Sequence, residues 1–116
     1  CVTRKLTANT RISELRELEI VILGAGRIGG SLARNLSNSD YQVSIVDQNK
    51  IKLSDLEDKL DIMTVKGNAS SLHTLKKSGL DEDTIVIAVT SNDDANIIAC
   101  QISKKQINVK KTKSKK

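Results

Sequence analysis

The sequence predicts an α/β fold, a doubly wound parallel sheet with helices on both faces, and three observations carry that prediction. The apolar run Glu19-Ile20-Val21-Ile22-Leu23 stops at a glycine turn, Gly24-Ala25-Gly26, and passes at once into a helix-like stretch. Strand-like and helix-like segments then alternate four times, the pattern of parallel strands joined by right-handed crossovers. The strand-like runs are apolar almost throughout, as strands covered on both faces must be. The expected strand order is 3-2-1-4, a Rossmann-like arrangement.

Each element follows from local pattern. Residues 1–17 read as a polar leader, with Ile12, Leu15 and Leu18 at a spacing that fits a short amphipathic helix. The domain proper is expected over residues 18–109. Its first strand is Glu19 to Leu23, and Ile28, Leu32, Ala33 and Leu36 place one apolar face on the helix that follows, which ends at Ser37-Asn38-Ser39-Asp40. Gln42 to Val46 is the second strand. Asp47-Gln48-Asn49 supplies capping groups before a helix carrying Ile51, Leu53, Leu56 and Leu60, with Asp55, Glu57, Asp58 and Lys59 on its wet side. Ile62 to Val65 is the third strand, and the serine-rich turn Gly67-Asn68-Ala69-Ser70-Ser71 opens a short helix anchored by Leu72 and Leu75 and stopped at Ser78-Gly79. After the acidic turn Asp81-Glu82-Asp83, Thr84 to Val89 is a buried fourth strand. Thr90-Ser91-Asn92-Asp93 then leads into an apolar helix with Ala95, Ile97, Ile98, Ala99, Cys100 and Ile102. Where a fifth strand would begin, Ile107-Asn108-Val109 gives way to a seven-residue segment, 110–116, that holds five lysines. Such a segment cannot make a buried parallel strand, so the sheet is expected to be truncated before its fifth strand. The fourth strand is then left at an edge, and 110–116 is expected to be a disordered basic tail. An open apolar edge of this kind predicts a dimer or larger assembly rather than a stable monomer.

Composition sets the remaining bounds. A length of 116 residues fits one modest core, and with no proline, tryptophan or phenylalanine that core must be built from Ile, Leu, Val and Ala. The net charge is +5, but seven lysines and no acids fall from Lys104 onward, which leaves residues 1–103 at −2. The basic character therefore belongs to the tail. Tyr41 is the sole aromatic residue, so the stacking platforms of RNA-binding domains are missing and no nucleic-acid partner is expected. Cys1 and Cys100 form no framework or zinc-ligand spacing, which fits a reducing cytoplasm. No apolar run approaches the roughly 18 residues of a membrane span. His73, the sole histidine, has no neighbours suited to a metal, so no metal site is expected and a surface position fits it best.

The glycine turn carries the chemistry. Gly24 allows the tight turn, Gly26 leaves no side chain between the backbone and a pyrophosphate, and Gly29 lets the helix pack close to the strand. The helix start offers unpaired N–H groups and a partial positive charge to an anion. Asp47 ends the second strand eighteen residues beyond Gly29, where a carboxylate would hold a ribose diol, although it can equally cap the second helix. Arg27 opposes the macrodipole at its helix start, which leaves a phosphate contact and a merely exposed arginine both open. Asn68 and Ser70 read either as turn and cap residues or as ligand contacts, and Asp93 and Asp94 can serve only the next helix N-terminus.

Three stretches together resemble one family. They are Leu23-Gly24-Ala25-Gly26-Arg27-Ile28-Gly29-Gly30-Ser31-Leu32-Ala33, Gly67-Asn68-Ala69-Ser70, and Ala88-Val89-Thr90-Ser91-Asn92-Asp93-Asp94-Ala95-Asn96. The chain over about residues 19–109 resembles the nucleotide-binding domains of the Trk potassium-uptake regulatory (TrkA) family, also called RCK or KTN domains. The resemblance implies a cytoplasmic regulatory module, peripheral to the inner face of the membrane, that binds NAD or NADH, or else ATP or ADP. It further implies a homodimer or larger homo-oligomer, control of an integral-membrane potassium transporter subunit, and no chemistry on the nucleotide. By position, Gly24, Gly26 and Gly29 would frame the pyrophosphate with Arg27 and Ile28 beside it. Asp47, followed by Gln48, would accept from the adenosine ribose, Asn68, Ala69 and Ser70 would line the adenine side, and Thr90 would face the far half of the ligand. The sequence departs from the family after Val109, where a further apolar strand is expected. The alternative is the cofactor-binding domain of an NAD-dependent oxidoreductase, which needs an acid-base group that only a poorly placed His73 could offer. A third class, binding of polyanions, has the lysine tail alone in its favour.

Overall fold

A computed structural model describes residues 19–39, 41–107 and 109–114; the leader expected over residues 1–17, Leu18 and Cys1 lie outside the described residues. The chain runs β1 (Glu19–Leu23), α1 (Arg27–Ser37), β2 (Gln42–Asp47), α2 (Lys50–Lys59), β3 (Met63–Lys66), α3 (Leu72–Lys77), β4 (Ile85–Ala88), α4 (Asp93–Gln106) and β5 (Lys111–Ser114). All strands are parallel, in the order β3-β2-β1-β4-β5. The α/β class and the order of the first four strands are as the alternating pattern predicts.

The fifth strand corrects the sequence reading. The sheet is not truncated after β4, because Lys111–Ser114 pairs in parallel along β4, with Ile85 opposite Lys111 and Ile87 opposite Lys113. The segment 111–114 is therefore strand rather than disordered tail, and β4 is not an open edge. A lysine-rich segment cannot be a buried strand, but an edge strand needs only main-chain bonds to one neighbour. Lys111, Lys113 and Ser114 are exposed and Thr112 alone is half-buried. Charges along an outermost strand discourage further pairing, so the composition that argued against a strand suits this position. Val109, 3% exposed, anchors the approach to β5. Its N–H bonds the Ser103 carbonyl at 3.0 Å. Lys110 Nζ stands 3.5 Å from Glu82 Oε1, a solvated pair of small energetic weight.

Successive side chains of a strand point to opposite faces, and β1 divides accordingly. Val21 and Leu23 pack with Val46, Val86, Leu75 of α3 and Ala99 of α4. Ile20 and Ile22 pack on the other face with Val43, Ile45, Ala33 of α1, and Leu53 and Leu56 of α2. Removing one such fully buried leucine, Leu23→Ala for example, costs on the order of 2–5 kcal/mol.

Helix faces differ from their periodic reading at the ends. Ile28 and Ile51, expected on apolar faces, are exposed, and α1 instead turns Gly29, Gly30 and Ala33 inward. Ile97 and Ile98 of α4 are also exposed, while Asn96, Ala99 and Ser103 are buried. Ile28 and Ile51 stand second in their helices, in a first turn with little sheet beneath it, and so meet solvent whatever their period, whereas Ile97 and Ile98, fifth and sixth in α4, lie on the side of that helix away from Asn96, Ala99 and Ser103. Three helices begin with side-chain caps: Asn49 accepts from the N–H groups of Ile51 and Lys52, Ser71 from Thr74, and Asn92 from Ala95.

Candidate functional site

The C-terminal ends of β1, β2, β3 and β4 open into a cleft of about 600 Å³. β1 lies between β2 and β4, so the crossovers leave it in opposite directions, and such a switch point is where open parallel sheets place their ligands.

The turn after β1 forms the floor. Gly24 has φ +116°, and a Cβ there would lie 2.9 Å from the Thr90 Cα and N and from the Val89 carbonyl carbon. A side chain at this position is excluded by conformation and by space together. The Gly24 N–H donates to the Val46 carbonyl at 2.7 Å, and the Val89 N–H to the Leu23 carbonyl at 2.8 Å. Gly29 stands behind the turn rather than on the cleft wall, and a Cβ on it would run into the Gly24 carbonyl oxygen. At Gly26 an added Cβ meets nothing within 4 Å, so it would project into open space. The three glycines thus answer three separate needs.

Gly26 is the N-cap of α1, yet no side chain caps this helix and no acid stands in its first turn. Gly26, Arg27 and Ile28 line the cleft here. The first N–H groups of a helix have no partner within it, and they carry the positive end of its dipole. An anion placed there would meet both the N–H groups of the α1 start and the Arg27 guanidinium.

Asp47 and Gln48 line the second wall at the end of β2. The two Asp47 oxygens accept backbone bonds in different directions: Oδ2 from the Ala25 N–H at 2.7 Å and Oδ1 from the Asn49 N–H at 2.7 Å. Lys52 of α2 reaches the same wall, a cation that the sequence marks only by its place one turn after the strand end. Asn68, Ala69 and Ser70 form the third wall. Asn68 Oδ1 accepts from the Ser70 N–H at 2.8 Å and from the Ser70 hydroxyl at 2.7 Å, so the turn role and the cleft position coexist in the same residues. Gly67 lines this wall as well, and a Cβ there would stand 2.6 Å from Thr74 Oγ1 and 2.7 Å from its Cγ2.

The fourth wall is the turn after β4, carrying Val89, Thr90, Ser91 and Asn92. Thr90 is held by Asn96, whose side chain is fully buried. Asn96 Oδ1 accepts from the Thr90 N–H at 2.9 Å and lies 2.6 Å from the Thr90 hydroxyl. Asn96 Nδ2 donates to the Thr90 carbonyl at 3.2 Å. The Thr90 hydroxyl also accepts from the Asn92 N–H at 3.2 Å, so it is turned into its own loop. Asn96 is a residue whose role the sequence analysis missed; its signal is a polar side chain between Ala95 and Ile97 in an otherwise apolar stretch.

Every sequence-predicted site residue other than Gly29 lines this one cleft. His73 is exposed on α3 and is not among the lining residues. Among the described residues, no group of three or more His, Cys, Asp or Glu could hold a metal ion. Among them, too, no helix is long and apolar enough to cross a membrane.

Comparison with known proteins agrees with this fold. The family model of the TrkA-N domain matches residues 20–115. The Trk system potassium uptake protein TrkA of Vibrio alginolyticus is 41% identical over 86 residues, which is 74% of this chain and 19% of that protein. The TrkA homolog of Pyrococcus horikoshii is 33% identical over 85 residues, 73% of this chain and 37% of that protein. The chain thus spans about a fifth to somewhat over a third of these relatives. Among solved structures, the TrkA-N domain of the inner membrane protein ybaL from Escherichia coli superposes with a TM-score of 0.66 at 19% identity, covering 83% of this chain and 72% of that one. The Kef CTD of Shewanella denitrificans in AMP-bound form also gives 0.66, at 20% identity, covering 83% and 56%.

Proposed function

Because the chain belongs to the TrkA-N domain family, we propose that it is a regulatory domain of a Trk-type potassium uptake system, and that it works by binding NAD(H) or an adenine nucleotide in the cleft at the strand ends. The observation that carries this reading is the uncapped start of α1 beneath the open face of Gly26, with the Asp47 carboxylate at the neighbouring strand end.

In this reading the pyrophosphate sits on the N–H groups at the start of α1 with Arg27 beside it, and the adenosine ribose bonds Asp47. The adenine lies along Asn68, Ala69 and Ser70. The remaining half of a dinucleotide extends toward Thr90 and Ser91; because the Thr90 hydroxyl is committed to its own turn, contact there falls to main chain and to Ser91. The AMP-bound Kef CTD supports an adenine nucleotide as the class of ligand.

The domain does no chemistry on its ligand. It acts at the inner face of the membrane by binding more tightly in one state of an assembly with a potassium transporter subunit, since a ligand shifts an equilibrium only by its differential affinity. Assembly as a homodimer or larger oligomer remains part of the proposal. It rests on family membership alone, because β5 covers the edge of β4 that first suggested it.

Calorimetric titration of NAD, NADH, AMP, ADP and ATP against one preparation tests the reading. Saturable binding of at least one is expected, and silence toward all of them refutes it. Turnover of NADH with a panel of carbonyl compounds would favour an oxidoreductase domain instead.

A further inference from the structure

Asp47 has more to do than the ribose requires. Both of its oxygens already accept a backbone N–H, at 2.7 Å from Ala25 and 2.7 Å from Asn49. Ala25 lies between Gly24, held at φ +116°, and Gly26, the residue from which α1 starts. Ala25 is itself 7% exposed, so water has little access to replace a lost acceptor. One side chain therefore ties the turn before α1 to the turn before α2, across a separation of 22 residues. Bonds from N–H to an ionised carboxylate are about twice as strong as neutral ones, and a buried donor left without an acceptor bears its full desolvation penalty.

The direction of the α1 N–H groups depends on the peptide planes of this turn. Gly24 is fixed by its bond to Val46, and the first bond within α1 runs from the Gly30 N–H to the Gly26 carbonyl at 2.8 Å. Between those points the Ala25 N–H is held by Asp47. We propose that Asp47 is a positioning residue for the anion cradle: by fixing the Ala25 peptide it aims the N–H groups that receive the ligand's phosphates, in addition to accepting from the ribose. The proposal rests on the nucleotide-binding reading and extends it. Each carboxylate oxygen has a second lone pair, so the backbone bond and a ribose hydroxyl can share the same atom. The diol end and the phosphate end of the site are thereby coupled through one side chain. Asparagine cannot take over this work. Its amide offers one acceptor oxygen, enough for the Ala25 N–H or for the Asn49 N–H but not for both, so removal of the side chain, Asp47→Ala, is the variant that breaks the tie.

The test separates positioning from ribose contact. Amide hydrogen exchange is followed in the nucleotide-free protein, wild type and Asp47→Ala, and both are then titrated with ADP and with 2′,3′-dideoxy-ADP, which has no ribose hydroxyls to offer. Exchange at the Ala25 amide is expected to quicken by about tenfold or more in the variant, the effect of losing one charge-assisted bond. Affinity is expected to fall for both nucleotides. An Ala25 amide that exchanges as in wild type, or a loss confined to ADP with dideoxy-ADP unchanged, overturns the proposal. If wild type binds neither nucleotide, ADP is not the ligand and the nucleotide reading passes to the other four ligands titrated above, while the Ala25 exchange still decides the positioning role. If Asp47→Ala does not fold, scalar coupling through the hydrogen bond from the Ala25 amide to the Asp47 carboxyl carbon in wild type decides it; observed coupling supports the tie, and its absence refutes it.

Discussion

Gly29→Ala adds one methyl group and should do disproportionate damage. The new Cβ would overlap the Gly24 carbonyl oxygen and lie 2.9 Å from the carbonyl carbon, with Ile22 Cγ2 at 3.4 Å. The obstructing atoms are main chain, pinned by the Gly24 bond to Val46, so no rotamer change can clear the space. The helix must instead lift from the sheet, loosening Ala33 against Ile20 and Ile22. Overpacking of a fixed core costs about 1–3 kcal/mol, and intrusion on backbone belongs at the upper end. Against it stands a helix-propensity gain from Gly to Ala of at most about 1 kcal/mol. A net loss of about 2 kcal/mol should lower Tm by roughly 8–16 °C in a domain of this size. Thermal melts by circular dichroism at one protein concentration measure it. A Gly29→Ala variant melting within about 2 °C of wild type would show that the α1 start yields freely and that close packing is not what this glycine provides.

Gly26→Val is the complementary case: its side chain projects into the open cleft, so Tm should stay near wild type while calorimetry finds nucleotide binding abolished, and unaltered affinity in a folded variant would place the ligand elsewhere. Asn96→Ala removes the three contacts that hold Thr90 and leaves buried main-chain groups unsatisfied, so urea unfolding should find a loss of about 1–3 kcal/mol, with no loss refuting the clamp. NAD(H) should bind more tightly than NADP(H), because the 2′-phosphate would meet the Asp47 carboxylate; equal or tighter binding of NADP(H) would show that Lys52 rather than Asp47 governs that wall. Burial raises the Cys100 thiol above its ordinary value of 9.0, outweighing the Thr112 bond and the Lys104 charge that favour the thiolate. The folded state then holds the proton more tightly than the unfolded one. Any stability from this group is present below that ordinary value and is lost as pH rises through the raised one. Alkylation at pH 8, mapped by mass spectrometry, should therefore be slower at Cys100 in the folded protein than in urea, and equal rates would contradict the burial.

What was legible in the sequence is what side chains announce for themselves. Ile20 to Leu23, and Val43, Ile45 and Val46 around Ser44, are apolar because both sheet faces are covered, and a covered strand can be read without its neighbours. The glycine turn, Asp47 and the Asn68 to Ser70 turn are local patterns tied to strand ends, and they converge as the alternating topology requires. β5 was illegible because its place is secured by main-chain bonds to β4, which leave no trace in Lys111-Thr112-Lys113-Ser114. Ile28 and Ile51 show the limit of periodicity, which finds a helix face without telling how far the helix overhangs the sheet. Gly67, Lys52 and Asn96 matter through Thr74, the cleft wall and Thr90, partners that only the folded chain brings near them.

The hydrogen-bond ladder of the sheet does not stop where its strands do. Gly24 bonds Val46 at 2.7 Å, Val89 bonds Leu23 at 2.8 Å, and Gly67 bonds Asp47 at 3.0 Å, so the loops beneath the cleft continue the sheet. A floor pinned in this way is preorganised: little of a ligand's interaction energy goes into ordering it. It is also a poor moving part. On the function proposed above, such a sensor would not signal by closing its base over the ligand; a change in occupancy would be read at the rim, where Arg27, Lys52 and Ser91 stand on helix starts and a turn, and passed sideways to whatever surface rests against them.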